Sequence, residues 1–142
     1  MSVVPTRLVT KIWLSLQEPR KITAMQTMLY LLVAFAGVGV LLWTPTSIEG
    51  RIGLGLTIMW GWFALLGGVL GAWATPGGKW FLERAAIWLC GTAVLFYLLI
   101  VGYLQVTTSG NRLVQMAFIA IAGVALGIRF ERIREFDYEP GK

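Results

Sequence analysis

The residues able to do chemistry are few, and their types rule out most of it. The chain has no His and a single Cys, Cys90. Without His there is no His-based metal site, general base or triad, and one Cys makes neither a redox pair nor an intramolecular disulfide. Cys90 stands between Leu89 and Gly91 in an apolar run and reads as a small packing residue rather than a nucleophile. Glu131, Glu135, Asp137 and Glu139 are interleaved with Arg129, Arg132 and Arg134. At that spacing they make a solvated, self-neutralising face, not an acid and base pair. The Gly-rich stretches lie inside apolar runs and lack the strand, Lys and Ser/Thr of a phosphate-binding loop. No enzymatic activity, metal, cofactor, nucleic acid or small-molecule substrate is expected.

Those residues are scarce because the chain is composed for a different solvent. Of its 142 residues, 57% are hydrophobic and 13% charged, where soluble proteins carry about 25% charged residues. Mean hydropathy is +0.73, and too few polar side chains remain to cover a globule in water. Ile22 to Ile48, Ile52 to Gly78, Ala85 to Asn111 and Leu113 to Ile128 carry no charge at all. A spanning helix needs about 20 apolar residues, so the economical fold is all-α: a polytopic membrane protein with four transmembrane helices. The expected spans, about 23–44, 52–75, 85–106 and 113–128, make a domain over 22–128, ahead of a charged cytoplasmic tail over 129–142. Turn residues separate them: Thr44-Pro45-Thr46-Ser47, Thr75-Pro76-Gly77-Gly78 and Thr107-Thr108-Ser109-Gly110-Asn111.

Residues 1–21 differ in character. Arg7, Lys11, Arg20 and Lys21 face Glu18 alone, while Leu8, Val9, Ile12, Trp13 and Leu16 recur at helical spacing. This predicts an amphipathic helix lying on an anionic bilayer, with Arg7, Lys11, Trp13, Arg20 and Lys21 at the membrane surface. The twelve Lys and Arg residues are divided unevenly among the ends and loops. Arg51 and Arg112 lie on one side of the expected topology and the other ten on the opposite side. By the positive-inside rule both termini are cytoplasmic in a multi-pass inner (plasma) membrane protein.

No Asp, Glu, Lys, Arg or His falls within any expected span, so a proton-coupled or ion-coupled transporter has no group to carry its charge. The expected second span instead carries a row of small residues. Gly53, Thr57, Gly61, Ala64, Gly68 and Ala72 follow at spacings of four, four, three, four and four, which places them on one helical face. Gly67 with Gly71 and Gly123 with Gly127 add two further small pairs. In lipid, helices associate by close backbone approach, so the six in register and these pairs are candidate helix-packing positions. They fit a neighbouring span or a second copy of the chain equally well.

The whole layout, a basic amphipathic start, four short-looped apolar spans and the tail Arg-Phe-Glu-Arg-Ile-Arg-Glu-Phe-Asp-Tyr-Glu, resembles small membrane proteins of actinobacterial bacteriophages, some of which are read as holins. The resemblance implies an inner-membrane protein that accumulates, oligomerises and permeabilises the bilayer so that a cell-wall hydrolase can act during lysis. A water-filled lesion wants a polar helix face, and Ser and Thr are sparse in these spans. The alternative is an accessory or anchoring subunit of a membrane protein complex, binding its partner through the basic amino-terminal segment and the tail.

Overall fold

The computed structural model describes residues 20–43 and 53–134. Within them four helices follow one another: α1 Arg20–Leu42, α2 Leu54–Ala74, α3 Trp80–Thr107 and α4 Leu113–Arg134. Each is long and apolar enough to cross a membrane. The expected amphipathic helix, with Arg7, Lys11 and Trp13, lies outside the described residues, as does the chain beyond Arg134. Arg20 and Lys21 belong to the first turn of α1 instead of closing a separate segment.

Two further boundaries differ from the expectation. α3 begins at Trp80 because Trp80, Phe81 and Leu82 are as apolar as the run that follows, and Glu83 and Arg84 are good helix formers. Its 28 residues measure about 42 Å at 1.5 Å each, more than a hydrocarbon core of about 30 Å. α4 likewise continues through Arg129 to Arg134, so the short expected fourth span is a full-length helix with a charged end.

Several helix ends find partners for their backbone groups within the chain. α2 starts behind Gly53, whose φ of 88° favours glycine. It ends in a Schellman pair: Gly78 N–H donates to Thr75 O at 3.3 Å and Lys79 N–H to Ala74 O at 3.1 Å, with Gly78 at φ 61°. At the opposite end of the bundle, Asn111 Oδ1 caps Leu113 N–H at 3.0 Å and Gln105 Oε1 accepts from Arg112 N–H at 2.6 Å. Thr27, Thr57, Thr75 and Thr107 each donate their hydroxyl to the carbonyl four residues back. These hydroxyls are absorbed by their own helices.

Consecutive helices run antiparallel and pack as neighbours in chain order. Glycine sets the separation around α2. A Cβ on Gly68 would lie 2.5 Å from Ala34 N and 2.6 Å from Tyr30 O, and one on Gly37 would lie 2.5 Å from Leu65 N. On the face toward α3, a Cβ on Gly67 would lie 2.8 Å from Cys90 Sγ and 2.9 Å from Cys90 N. The buried core threads the same seams: Tyr30, Ala86, Ile87, Cys90, Leu126 and Ile133 form one cluster. Val40, Trp60, Ala64 and Ala93 form a second, beside which the Trp60 and Tyr97 rings stack at 4.5 Å.

Candidate functional site

Glu83 sits in the first turn of α3 and is 1% exposed. Its two carboxylate oxygens meet the Arg129 guanidinium from α4: Nε donates to Oε1 at 2.6 Å and Nη2 to Oε2 at 2.8 Å. The Arg129 side chain is itself 13% exposed. Two parallel charge-assisted bonds are the strongest form such a pair takes, and they fix orientation as well as distance. From α1, Tyr30 O–H donates to Glu83 Oε1 at 3.5 Å. Gln26, on the same helix, has a buried Nε2 without a hydrogen-bond partner.

Position favours the carboxylate. An anion in the first turn of α3 meets the positive end of that helix dipole, while Arg129 lies just before the last turn of α4, where the dipole contributes little. Taking the pair out of water still costs several kcal/mol per ion, of order, before mutual attraction returns it. The helices must bring the two groups together for either to be tolerated. Both carboxylate oxygens are occupied and water is excluded, so Glu83 has no reach toward a substrate as a general base. What the arrangement does is bind α4 to α3.

Two more polar contacts join the same pair of helices toward the opposite end. Gln115 Nε2 donates to Tyr97 Oη at 2.5 Å, and Gln105 holds the Arg112 backbone as described. Around the ion pair, basic side chains rest on aromatic rings: Lys79 Nζ is 3.8 Å from the Trp73 ring centroid and Arg84 lies 5.6 Å from that of Phe130. Phe130 in turn meets Trp88 edge-on at 5.8 Å. Among the described residues, no three His, Cys, Asp or Glu side chains gather as a metal site would require.

The packing residues expected from the sequence fall into two sets. Thr57, Gly61, Ala64 and Gly68 are buried; Gly61 faces the Leu41 and Val40 side chains and Gly68 the α1 backbone. Gly53 is exposed before α2, Ala72 is half-buried, and Gly123 and Gly127 lie on α4. A Cβ on Gly123 would touch Val94 at 3.4 Å, while one on Gly53 or Gly127 would meet nothing within 4 Å. Gly67 and Gly71 are closely approached by Cys90 and by the Tyr30 ring, and the structure adds Gly37 to the close-packed set.

The expectation that no ionisable group enters a span overlooked Glu83. With α3 starting at Trp80, Glu83 is inside the helix and buried, and Arg129 of α4 is largely covered beside it. One available signal was that Glu83 is the sole acid between Glu49 and Glu131. Its partner, 46 positions away, carries no local signature. Compared with protein families, with curated proteins and with solved structures, the chain matches none of them.

Proposed function

We propose that this chain is a holin-like inner-membrane protein, both termini cytoplasmic, that self-associates and permeabilises the bilayer for lysis. The observation that carries the reading is the uneven closure of the bundle. Each helix packs closely only on its chain neighbours, most densely at the α1–α2 seam and least densely at the α3–α4 seam, and the other helix pairs make only isolated contacts. Val114, Phe118, Ile121, Val124 and Ile128 of α4 are exposed. Gly91 and Gly127 stand open beside it. Such a face accepts a further helix at close range. The described basic residues support the orientation: Lys21, Lys79, Arg84, Arg129, Arg132 and Arg134 share one end of the antiparallel bundle, and Arg112 lies at the other.

Induced expression in a bacterial host tests this. The expected course is a tolerated interval, then abrupt loss of membrane potential with escape of a co-expressed cytoplasmic hydrolase, because association rises steeply with density. A maintained potential at high, verified membrane levels overturns it. A second reading, an accessory or anchoring subunit, draws on the exposed Lys21, Lys79, Arg132 and Arg134 at the basic end, which suit an acidic partner domain. That reading expects growth without depolarisation and co-purification of a stoichiometric partner.

A further inference from the structure

We infer that α4 is a releasable arm, latched to α3 by the Glu83–Arg129 pair, and that its departure uncovers a polar stripe otherwise hidden between the two helices. The inference rests on the permeabilising reading for its use and, for its substance, on two structural observations and a chemical argument.

The first is where the polar groups lie. Glu83, Tyr97 and Gln105 of α3 meet Arg129, Gln115 and the start of α4. Glu83 and Tyr97 are fourteen positions apart, as are Gln115 and Arg129, so each pair lies on one side of its helix at 3.6 residues per turn. The hydroxyls of Thr27, Thr57, Thr75 and Thr107 are committed to carbonyls of their own helices. The polar face that a water-filled opening needs is thus present, folded inward at this seam.

The second is how narrow the apolar contact along the seam is. An apolar groove of about 330 Å³ runs along one side of it, lined by Ile87, Trp88, Gly91, Gly123, Gly127 and Phe130 among others. Another of about 340 Å³ runs along the opposite side, reaching Val33 of α1, Trp60 of α2, Tyr97 of α3 and Phe118 of α4. Where an open groove flanks a helix contact, lipid chains and not the partner helix supply the dispersion contacts. α4 therefore stands on a narrow ridge, with Leu126 and Ile133 in the core cluster beside Ile87 and Cys90, and is pinned there by hydrogen bonds.

The third is chemical. In hydrocarbon these groups must bond one another, because nothing else is available. In a wet opening each of them is satisfied equally well by water, while the outer face of α4 stays in lipid. The same residues serve a closed state and an open one, which is the condition for a two-state element. A backbone-to-backbone glycine seam has no such second solution.

A tether across the seam tests the arm directly. In full-length protein carrying Cys90→Ala, Val94→Cys and Gly123→Cys place two thiols where the structure already brings these residues into contact. The protein is reconstituted at increasing density into dye-loaded phosphatidylethanolamine and phosphatidylglycerol vesicles. Oxidised protein is expected to release dye at least about tenfold more slowly than the same protein reduced; equal rates overturn the inference. Separately, Leu126→Cys in the Cys90→Ala chain places a thiol at a buried position of the seam, and Leu99→Cys places one on the exposed apolar surface of α3. A membrane-impermeant thiol reagent is expected to modify the first increasingly with density and to spare the second. If no vesicle leaks, the permeabilising reading fails and labelling alone decides the arm: modification at position 126 upholds it, and protection at every density overturns it.

Discussion

The α1–α2 seam and the α3–α4 seam solve the same problem by opposite means. In lipid there is no hydrophobic exclusion to press helices together. Between α1 and α2 the answer is proximity: Gly37, Gly61, Gly68 and Gly71 let the chains approach until added Cβ atoms would collide with backbone or with the Leu41 and Tyr30 side chains. Between α3 and α4 the answer adds polarity to a narrow apolar strip at Leu126 and Ile133, through the Glu83–Arg129 fork and the Tyr97–Gln115 bond, with open glycines alongside. Many small dispersion terms spread over a continuous surface tolerate no rearrangement. A few strong bonds at points can be exchanged for others. The difference teaches which half of the bundle is scaffold and which half is able to move.

The largest expected effect is at the polar seam. Arg129→Leu strands a buried carboxylate and is expected to cost about 3–5 kcal/mol, the range for breaking one side of a buried pair. Glu83→Leu with Arg129→Leu together removes both charges and is expected to recover most of that loss. Reversible unfolding in mixed detergent micelles, run as a double-mutant cycle, measures the coupling. Additive losses would mean that the pair is not a bond between the helices.

Next comes the glycine seam. Gly68→Leu pushes a side chain into Ala34 N and Tyr30 O, backbone atoms that cannot yield without moving α1 away from α2. A loss of about 1–3 kcal/mol or more follows from overpacking. Leu66→Ile on the exposed side of the same helix should be nearly silent. Similar losses for the two would leave the close approach without energetic weight.

The contrast explains what was legible beforehand. Four charge-free runs translate directly into four helices because hydrocarbon thickness sets a minimum length that composition alone reports. The stripe of Thr57, Gly61, Ala64 and Gly68 was legible as a face because the helical period is fixed. Its partner was not, since a period names a side and not a neighbour. Gly68 and Gly127 look alike in sequence, one jammed against backbone and the other beside empty space. Glu83 escapes a reading that bounds each span at its nearest charge, and a burial that depends on Arg129 and Tyr30 has no trace in the residues next to it. Residue types travel with the sequence; surroundings are made by tertiary contact.

A smaller effect is expected at the second polar contact. Tyr97→Phe keeps the ring stacked on Trp60 but leaves Gln115 Nε2 without its acceptor. Hydrogen bonds between membrane helices average about 0.6 kcal/mol and reach about 1.7, so a loss within that range is expected in the same unfolding assay. Dye release by Tyr97→Phe should begin at a lower protein density than for the unaltered chain, since one pin of the arm is gone. An onset shifted to higher density would place the hydroxyl in the open state instead.

The smallest effect on a single copy belongs to Gly127→Leu. A Cβ there meets nothing within 4 Å, so no clash offsets the gain from replacing glycine in a helix, up to about 1 kcal/mol in water. At high dilution in micelles the variant should therefore unfold no more easily than the unaltered chain, in direct opposition to Gly68→Leu. At high density the two glycines part company in a second way. A second copy approaching the Gly91 and Gly127 side needs that backbone bare, and a leucine side chain would hold it off. Measured by energy transfer between labelled copies in vesicles, association of Gly127→Leu should fall while its dilute stability is unchanged. Undiminished association would mean that copies meet elsewhere and that the open glycines along α4 face lipid.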